Sequence, residues 1–362
     1  MNTLPLTYST LQPFNYSTIQ LFNPSTIHSF NPPPIQTFSN TIIKLIVLCL
    51  LAWAIWAQLL GKEDLEEIWA TFLNKVEEGN LTFLFAAVLL MPVNWGLEAL
   101  KWKKLMQHVL PVSFWKALKA ILSGVTISFF TPNRVGDFGG RLLQVESKYN
   151  WDAVIATLVS SFSQLVALLT CGWIGLMYFA WMFLNLETYL LLGILILGLS
   201  LLVLMIFGFF NIDLIIPIAK RIKIIQRFKK PLRHLAVLKT FTSRELLRVL
   251  LLSFLRYLTF SIQFYLLLWF LGIEAPFLAA LAGISTVFLV QTSIPLPPVL
   301  GLLTRGQVAL FVWQFFGGNE LSVLAATYSI FVINLLIPSL LGAVFIVQIN
   351  VLKSLGYEND RP

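Results

Sequence analysis

Long apolar stretches separated by short polar ones make up most of the chain after residue 40. Six of these stretches have the roughly 17 residues or more that a helix needs to cross a bilayer. They are residues 41–60, 81–97, 154–178, 189–210, 249–271 and 321–347. The pattern therefore predicts about six spanning helices.

Two further apolar stretches, residues 114–148 and 277–316, are interrupted near the middle by proline. Proline is tolerated in the first turn of a helix but not in its interior, so each stretch is predicted to form two half-helices joined by a turn. The order span, broken pair, span occurs in residues 81–178 and again, with opposite orientation, in residues 249–347. The predicted fold class is an all-α polytopic integral membrane protein whose two broken re-entrant helix pairs belong to an inverted repeat, which is typical of transporters.

Composition and charge support a membrane protein and indicate its orientation. Hydrophobic residues make up 57% of the chain and charged residues 12%, which is unlike a soluble domain. Lys and Arg crowd residues 211–248, and positively charged loops stay on the cytoplasmic side. We therefore expect a multi-pass protein of the cytoplasmic (inner) cell membrane, with residues 211–248 and the tail 351–362 inside and the acidic segment 61–80 outside. This bias accounts for the net charge of +8 without a nucleic-acid partner.

The first 40 residues differ in character from the rest. They contain an eight-residue repeat rich in Ser, Thr, Asn and Pro, and they include no Lys, Arg, Asp or Glu. Such a composition cannot bury a core, so we expect residues 1–40 to be a disordered extension, which a mis-assigned start would explain. A short adhesive arm is the alternative. Residues 41–350 are the predicted transmembrane domain, followed by the short tail.

A stripe of polar side chains follows the break in the first broken stretch. Arg134, Asp137 and Arg141 are spaced by three and four residues, which places them on one helical face. Gln144 and Lys148 continue this stripe at the same spacing. Two interpretations are open: the stripe lines a binding site, or the helix is kinked and its charges lie at the membrane surface.

Proline and glycine indicate how the half-helices meet. Pro132 is expected at the start of the second half-helix, with Thr131 before it as an N-cap. Gly136 and Gly140, four residues apart, allow another helix to pack closely. The corresponding residues of the second broken stretch are Pro295, Pro297, Gly301, Thr304 and Arg305.

Arg305 is the only charged residue between Pro276 and Gly318. Two broken pairs that enter from opposite faces can meet near the midplane, which would bring Arg305 toward Arg134 and Arg141. Each arginine in a bilayer costs at least ~2.5 kcal/mol, so these side chains should face a polar cavity or a partner. The positive excess predicts an anionic substrate, and a phosphate suits the planar guanidinium fork. Asp137 and Thr304 complete the predicted substrate-binding set.

Three further charged residues, Glu98, Lys101 and Arg256, are candidates for the site. Glu98 and Lys101 are one helical turn apart and either pair with each other at the surface or contact the cargo. Arg256 lies inside a predicted span, where it would extend toward the membrane surface, pair with an acid or bind the cargo. Asn94 and Gln291 are expected to form hydrogen bonds between helices.

Several short motifs in this apolar setting resemble those of a known family. They are Glu98-Ala-Leu-Lys101-Trp102, Ser113-Phe114, Pro132-Asn133-Arg134-Val135-Gly136-Asp137 with Arg141, and Pro295-Leu296-Pro297-Pro298 with Gly301. Over roughly residues 41–350 the chain resembles the transmembrane domain of lysylphosphatidylglycerol synthetases and related flippase-like proteins. The resemblance implies movement of a lipid between leaflets. With the positive site, it implies a membrane lipid with an anionic head group as the partner.

Two features depart from that family pattern. The second motif of the family usually carries an acidic residue shortly after its glycines, where this chain has Thr304-Arg305. The charge of the site, and with it the cargo, therefore need not match the family. The synthetases also carry a large soluble aminoacyl-transferase domain after the membrane part, whereas this sequence ends at Pro362, so lysyl transfer is not expected of it.

Two other classes of function remain open. An integral membrane transferase or phosphatase acting on a lipid phosphate would use Asp137 as a general base or metal ligand, and a secondary transporter of a soluble anion would share the predicted fold. His28, His108 and His234 lie in separate regions and the sequence has no P-loop. Neither a metal nor a nucleotide cofactor is therefore expected, and an enzyme is not favoured. The oligomeric state is left open.

Overall fold

The computed structural model describes residues 34–59, 65–78, 81–221, 234–294 and 301–355, and within these ranges the chain is almost entirely helical and contains no strand. The helices are α1 (Pro34–Leu59), α2 (Leu65–Glu77), α3 (Leu81–Met106), α4 (Phe114–Ser128), α5 (Gly136–Leu142), α6 (Asn150–Phe183), α7 (Thr188–Phe210), α8 (Ile215–Arg221), α9 (Ser243–Phe270), α10 (Phe277–Ser293), α11 (Leu302–Trp313), α12 (Glu320–Phe331), α13 (Ile337–Val347) and α14 (Val351–Leu355). A π-helical segment, Val332–Leu336, joins α12 to α13.

Five of the described helical segments are long and apolar enough to cross a membrane. They are α3, α6 with the turn before it, α7, α9, and the continuous α12–α13 segment. Helix α1 contains a shorter apolar stretch, Ser39–Trp53, at the place of the sixth predicted span. The predicted all-α polytopic membrane fold is confirmed. Helix α1 begins at Pro34, so residues 34–40 of the predicted extension are helical, whereas residues 1–33 lie outside the described residues.

The two broken stretches form helical hairpins. In the first, α4 and α5 pack closely because glycine occupies the contact: a Cβ atom at Gly140 would overlap the backbone of Ser123 and Gly124, and one at Gly136 would overlap Ile127. In the second, α10 packs against α11. The turn of the second hairpin, which contains Pro295 and Pro297, lies outside the described residues.

The break in the first hairpin differs from the predicted continuous stripe. Pro132 begins a single 3-10 turn, and the Thr131 hydroxyl accepts a hydrogen bond from the Gly136 N–H at 2.7 Å, which caps the start of α5. Arg134 has a φ of +57°, so the helix cannot run through it. Lys148 lies beyond the end of α5, in an exposed ion pair with Glu146. The prediction of one helical stripe from Arg134 to Lys148 is therefore wrong; of its residues, only Asp137 and Arg141 lie within α5 and share a helical face.

The two halves of the chain pack as an inverted repeat requires. The first helix of each half, α3 and α9, are antiparallel: Gln263 donates to the Ala87 carbonyl at 2.8 Å near one end, and Gln107 donates to Glu245 at 2.9 Å near the other. Helix α4 of the first hairpin packs on α13, where the Thr126 hydroxyl donates to the Ser339 carbonyl at 2.7 Å. Helix α10 of the second hairpin packs in the equivalent way on α6. Each hairpin thus lies against the last helix of the opposite half.

Different loop segments pack near the two ends of helix α9. Near its C-terminal end, Phe270 contacts Phe72 of α2 at 5.5 Å between ring centroids. Near its N-terminal end, Phe241 contacts His108 at 5.4 Å. The 28 residues of α9 span ~42 Å at ~1.5 Å per residue, more than the ~30 Å hydrocarbon core of a bilayer. The described parts of the acidic segment and the basic loop, α2 and the residues around Phe241, therefore lie at opposite ends of α9.

Candidate functional site

A cavity of about 570 Å³ is lined by α3, α6, α9, α12 and the π-helical segment, by the turn of the first hairpin and by both helices of the second hairpin. Arg134 contributes from the turn of the first hairpin and Arg305 from α11 of the second. The structure therefore brings together these two predicted site residues from opposite halves of the chain. The other polar side chains of the wall are Asn94, Gln164, Arg256, Gln291, Thr292, Thr327 and Asn334.

The charge of the cavity wall is positive. Arg134, Arg256 and Arg305 line it, and Arg134 lies close enough to the other two for their charges to repel. Among the described residues, no Asp or Glu lines the cavity, and residues 295–300 include no acid in their sequence. A wall with this excess of positive charge attracts an anion, most strongly beside Arg256 and Arg305, which are only partly exposed.

Arg134 has an unusual backbone conformation. Its φ of +57° places a residue with a long side chain in the left-handed region that glycine favours. Such a conformation costs of order 1–3 kcal/mol and persists only where the surrounding structure holds it in place. The hairpin turn thus holds Arg134 in the cavity wall at a cost to stability, which is typical of a functional residue.

Aromatic side chains form much of the remaining wall. Arg256 lies over the Trp95 ring at 5.0 Å from its centroid, and Arg305 lies over the Phe331 ring at 5.8 Å. Cation–π contacts of this kind partly compensate the removal of a guanidinium from water without using its N–H groups. The remaining aromatic residues of the wall are Tyr257, Phe260, Phe264 and Phe288.

A buried cluster of ion pairs lies beside the cavity and is centred on Glu98. Arg141 binds both carboxylate oxygens of Asp137, at 2.9 Å from Nε and 2.6 Å from Nη2, and its Nη2 also donates to Glu98 at 3.0 Å. Neither Arg141 nor Asp137 is part of the cavity wall. Of the three charges predicted for the first hairpin, only Arg134 therefore reaches the cavity.

Lys101 and Arg256 complete this cluster. Lys101 Nζ lies 2.7 Å from Glu98 Oε2, and Arg256 Nη1 lies 3.5 Å from the same oxygen. Arg256 also donates to Gln164 at 3.2 Å, and the Ser160 hydroxyl donates to Glu98 at 3.1 Å. Glu98 thus ties together four helices, α3, α5, α6 and α9. The interpretation of Arg256 as a pairing residue is confirmed, and in addition it lines the cavity.

The surface interpretation of Glu98 and Lys101 is wrong. Helix α3 extends beyond the predicted span to Met106, so both residues lie inside it, at 4% and 0% exposure. They are buried because α6 and α9 pack over this part of α3. The sequence indicated Glu98 and Lys101 as candidate site residues because they form a charged motif directly after an apolar stretch. The partners could not be identified without knowing which helices pack together.

Of the predicted site residues in the described part of the second hairpin, Arg305 lines the cavity and Gly301 and Thr304 do not. The Thr304 hydroxyl donates to the Gly301 carbonyl at 2.9 Å within the first turn of α11, and Thr304 does not line the cavity. Gly301 is buried as the N-cap residue of α11. The interhelical hydrogen bond expected of Asn94 is confirmed, since it donates to Asn334 Oδ1 at 2.9 Å.

The sequence prediction missed Asn334 and Gln164. Asn334 lies in the π-helical segment between α12 and α13, and such segments occur frequently at functional sites. It is the only amide side chain in residues 321–347, which would have been a usable signal. Gln164 carried no comparable signal.

Most of the chain matches the model of one known protein family. The family model described as the lysylphosphatidylglycerol synthase transmembrane region matches residues 41–342. That range contains both hairpins, the cavity wall and the cluster around Glu98. No curated protein matches the chain at a significant level. The chain, most of which is covered by the match, belongs to the family of the lysylphosphatidylglycerol synthase transmembrane region.

Proposed function

We propose that the protein moves a lipid with an anionic, phosphate-bearing head group between the leaflets of the cytoplasmic (inner) cell membrane. The single observation that carries this proposal is the cavity in which Arg134, Arg256 and Arg305 converge with no described carboxylate in the wall. The family to which the chain belongs is related to membrane lipids by its description. The head group would lie between the three guanidinium groups.

The chemistry of the cavity supports a lipid phosphate. Guanidinium groups bind phosphate oxygens through two parallel N–H···O bonds, and these charge-assisted bonds strengthen away from bulk water. The aromatic and aliphatic part of the wall suits the glycerol and first methylene groups of a lipid better than a small hydrated anion. This apolar wall favours a lipid over a soluble anion as the cargo.

The cluster around Glu98 lies next to the cavity and holds one of its arginines in position. Two carboxylates, Glu98 and Asp137, lie among three cations, Lys101, Arg141 and Arg256, so the cluster carries one positive charge in excess. Arg256 is the member that also lines the cavity. We therefore assign Arg141 and Asp137 to positioning and Arg256 to contact with the head group.

The same contacts argue against an enzyme that uses Asp137 as a base. Both of its carboxylate oxygens accept hydrogen bonds from Arg141. Asp137 is thus engaged with Arg141 of its own helix, and it does not line the cavity in which a substrate would lie. Transport without chemical change is the function that this geometry supports better.

The orientation predicted from charge is part of the proposal. Residues 211–248 and the C-terminal tail would be cytoplasmic and the acidic segment 61–80 would be outside; residues 222–233 and 356–362 lie outside the described residues. The variants Lys239→Cys and Glu66→Cys test this in a background with Cys49→Ser and Cys171→Ser. In intact cells a membrane-impermeant maleimide should label position 66 and not position 239. Labelling of both from outside, or of position 239 alone, would contradict the orientation.

Binding measurements test the site. Full-length protein in detergent should bind phosphatidylglycerol, and Arg305→Gln or Arg134→Gln should weaken this binding about tenfold or more, since a charge-assisted contact contributes ~1.5–3 kcal/mol. Arg305→Lys should recover only part of the loss, because lysine keeps the charge but lacks the fork. Arg248→Gln, an exposed arginine two turns before Arg256 on α9, is the matched control and should have no effect. Equal affinity of wild type and both cavity variants, measured by native mass spectrometry, would reject the site.

A further inference from the structure

Two buried amides in the cavity wall each have an atom without a partner. Asn94 and Asn334 are 2% and 5% exposed and share one hydrogen bond, from Asn94 Nδ2 to Asn334 Oδ1. The other atom of each amide, Asn94 Oδ1 and Asn334 Nδ2, has no hydrogen-bond partner among the described residues. An unpaired buried polar atom costs roughly 1–3 kcal/mol. Their place in the wall of the cavity therefore suggests that a ligand supplies the missing bonds.

The two unpaired atoms are complementary in type. Asn94 Oδ1 is an acceptor and Asn334 Nδ2 is a donor, and the χ2 torsion of asparagine is soft enough for both to turn toward a ligand. A hydroxyl group is the simplest ligand group that both donates and accepts a hydrogen bond. The Trp95 indole N–H, which also lacks a partner among the described residues, adds a second donor in the same wall.

Other common head-group substituents fit this pair less well. An ammonium group only donates, so it would leave Asn334 Nδ2 unpaired, and the three arginines of the cavity would repel it. A trimethylated ammonium has no N–H group and forms no conventional hydrogen bond with either amide. The aromatic residues that could hold such a cation are already occupied in part by Arg256 and Arg305.

We propose that Asn94 and Asn334 form a specificity subsite that selects a lipid phosphodiester with a hydroxyl-bearing, uncharged substituent, and disfavours an amine-bearing one. This inference rests on the proposed function, because the phosphate is held by the arginines. It assigns the neighbouring part of the cavity to a polyol, which is either a glycerol or a sugar-like ring.

Lipids that differ only in this substituent provide the test. Phosphatidylglycerol and phosphatidylmethanol carry the same single negative charge, but only the former has hydroxyl groups. With identical acyl chains, full-length wild-type protein should bind phosphatidylglycerol about fivefold or more tightly than phosphatidylmethanol, as expected for two recovered hydrogen bonds. Phosphatidylethanolamine should bind more weakly than both. Phosphatidylinositol, compared with phosphatidylglycerol, distinguishes a ring from a glycerol as the preferred polyol.

A double variant assigns the preference to the amides. Asn94→Leu combined with Asn334→Leu removes both members of the pair, so neither is left as a buried amide without its partner. It should lose the preference for phosphatidylglycerol, so that the ratio of its affinities for phosphatidylglycerol and phosphatidylmethanol falls to about one. Gln263→Leu is the matched control, since Gln263 is a buried amide that bonds α9 to α3 but does not line the cavity. It should keep the preference.

The outcomes separate the two proposals. Equal affinity of the wild type for phosphatidylglycerol and phosphatidylmethanol overturns the polyol subsite and leaves the arginine site intact. Tighter binding of phosphatidylethanolamine than of phosphatidylmethanol overturns it as well. Binding of neither anionic lipid rejects the proposed function and this inference together. The wild-type comparison needs no variant, so it decides the matter even if the double variant does not fold.

Discussion

The role of a charged residue in this protein depends on the side chains that it contacts. Arg134 and Arg141 lie close together in the sequence and have the same side chain. Arg134 lines the cavity, whereas Arg141 is bound by Asp137 and Glu98. The difference arises from the backbone, because the left-handed conformation of Arg134 sets its side chain apart from the face of α5. A residue's type therefore indicates the chemistry available, and its neighbours determine whether that chemistry is used for structure or for a ligand.

Glu98 is the residue on which the buried cluster depends. Glu98→Gln would leave Lys101, Arg141 and Arg256 without one of their counter-ions in a buried setting, and breaking a buried ion pair from one side costs ~3–5 kcal/mol. We expect the free energy of unfolding to fall by about that amount, measured by titration with denaturing detergent. Glu146→Gln, which removes an exposed pair with Lys148, is the control and should change it by ~0–1 kcal/mol. Equal effects of the two substitutions would refute the importance of the cluster.

At the scale of single residues, the sequence indicated which residues could form the site, but it did not indicate which of them would pair with each other. The positions of Arg134 and Arg305 in one cavity followed from two broken stretches of opposite orientation. The burial of Glu98 and Lys101 did not follow, because a charged motif at the end of an apolar run is normally a solvated loop. Packing of α6 and α9 over α3 overrides that tendency, and it depends on contacts between residues far apart in the chain.

Among the elements, the first hairpin shows most clearly how local sequence determines packing. Gly140 faces α4 so closely that a Cβ atom has no room, whereas Gly139 has nothing within 4 Å of the equivalent position. The prediction that glycines allow close helix approach therefore holds for Gly136 and Gly140. The length of α5 was not predicted: it starts only after the left-handed Arg134 and ends at Leu142, and its two consecutive glycines weaken its helix propensity.

The two neighbouring glycines provide a matched test of the hairpin. Gly140→Ala should lower the free energy of unfolding by ~1–3 kcal/mol, because the new Cβ atom would force α4 and α5 apart. Gly139→Ala should be neutral or stabilising by up to ~1 kcal/mol, since alanine favours a helix more than glycine and the space is open. Thermal unfolding of both variants in detergent checks the order. A larger loss for Gly139→Ala than for Gly140→Ala would contradict the packing described.

For the whole molecule, the inverted repeat explains why one cavity contains residues from both hairpins. Two antiparallel first helices, α3 and α9, place the equivalent hairpins on opposite sides of a common centre. This arrangement was predictable from the order of apolar stretches, because span length and proline position are local properties. The fit of the two halves was not predictable, since the wall also uses Asn334 and Gln164, whose roles depend on the assembled bundle.

Transport of a labelled lipid tests the central claim most directly. Full-length protein is reconstituted in liposomes that contain phosphatidylglycerol with a fluorescent acyl chain, and a membrane-impermeant quencher reports the lipid that reaches the outer leaflet. The wild type should accelerate this movement, and the variant with both Arg134→Gln and Arg305→Gln should slow it about tenfold or more while folding normally, because two phosphate contacts are lost. Arg248→Gln should match the wild type. Equal rates for the wild type and the double variant would contradict the claim that the arginine cavity holds the head group during transport.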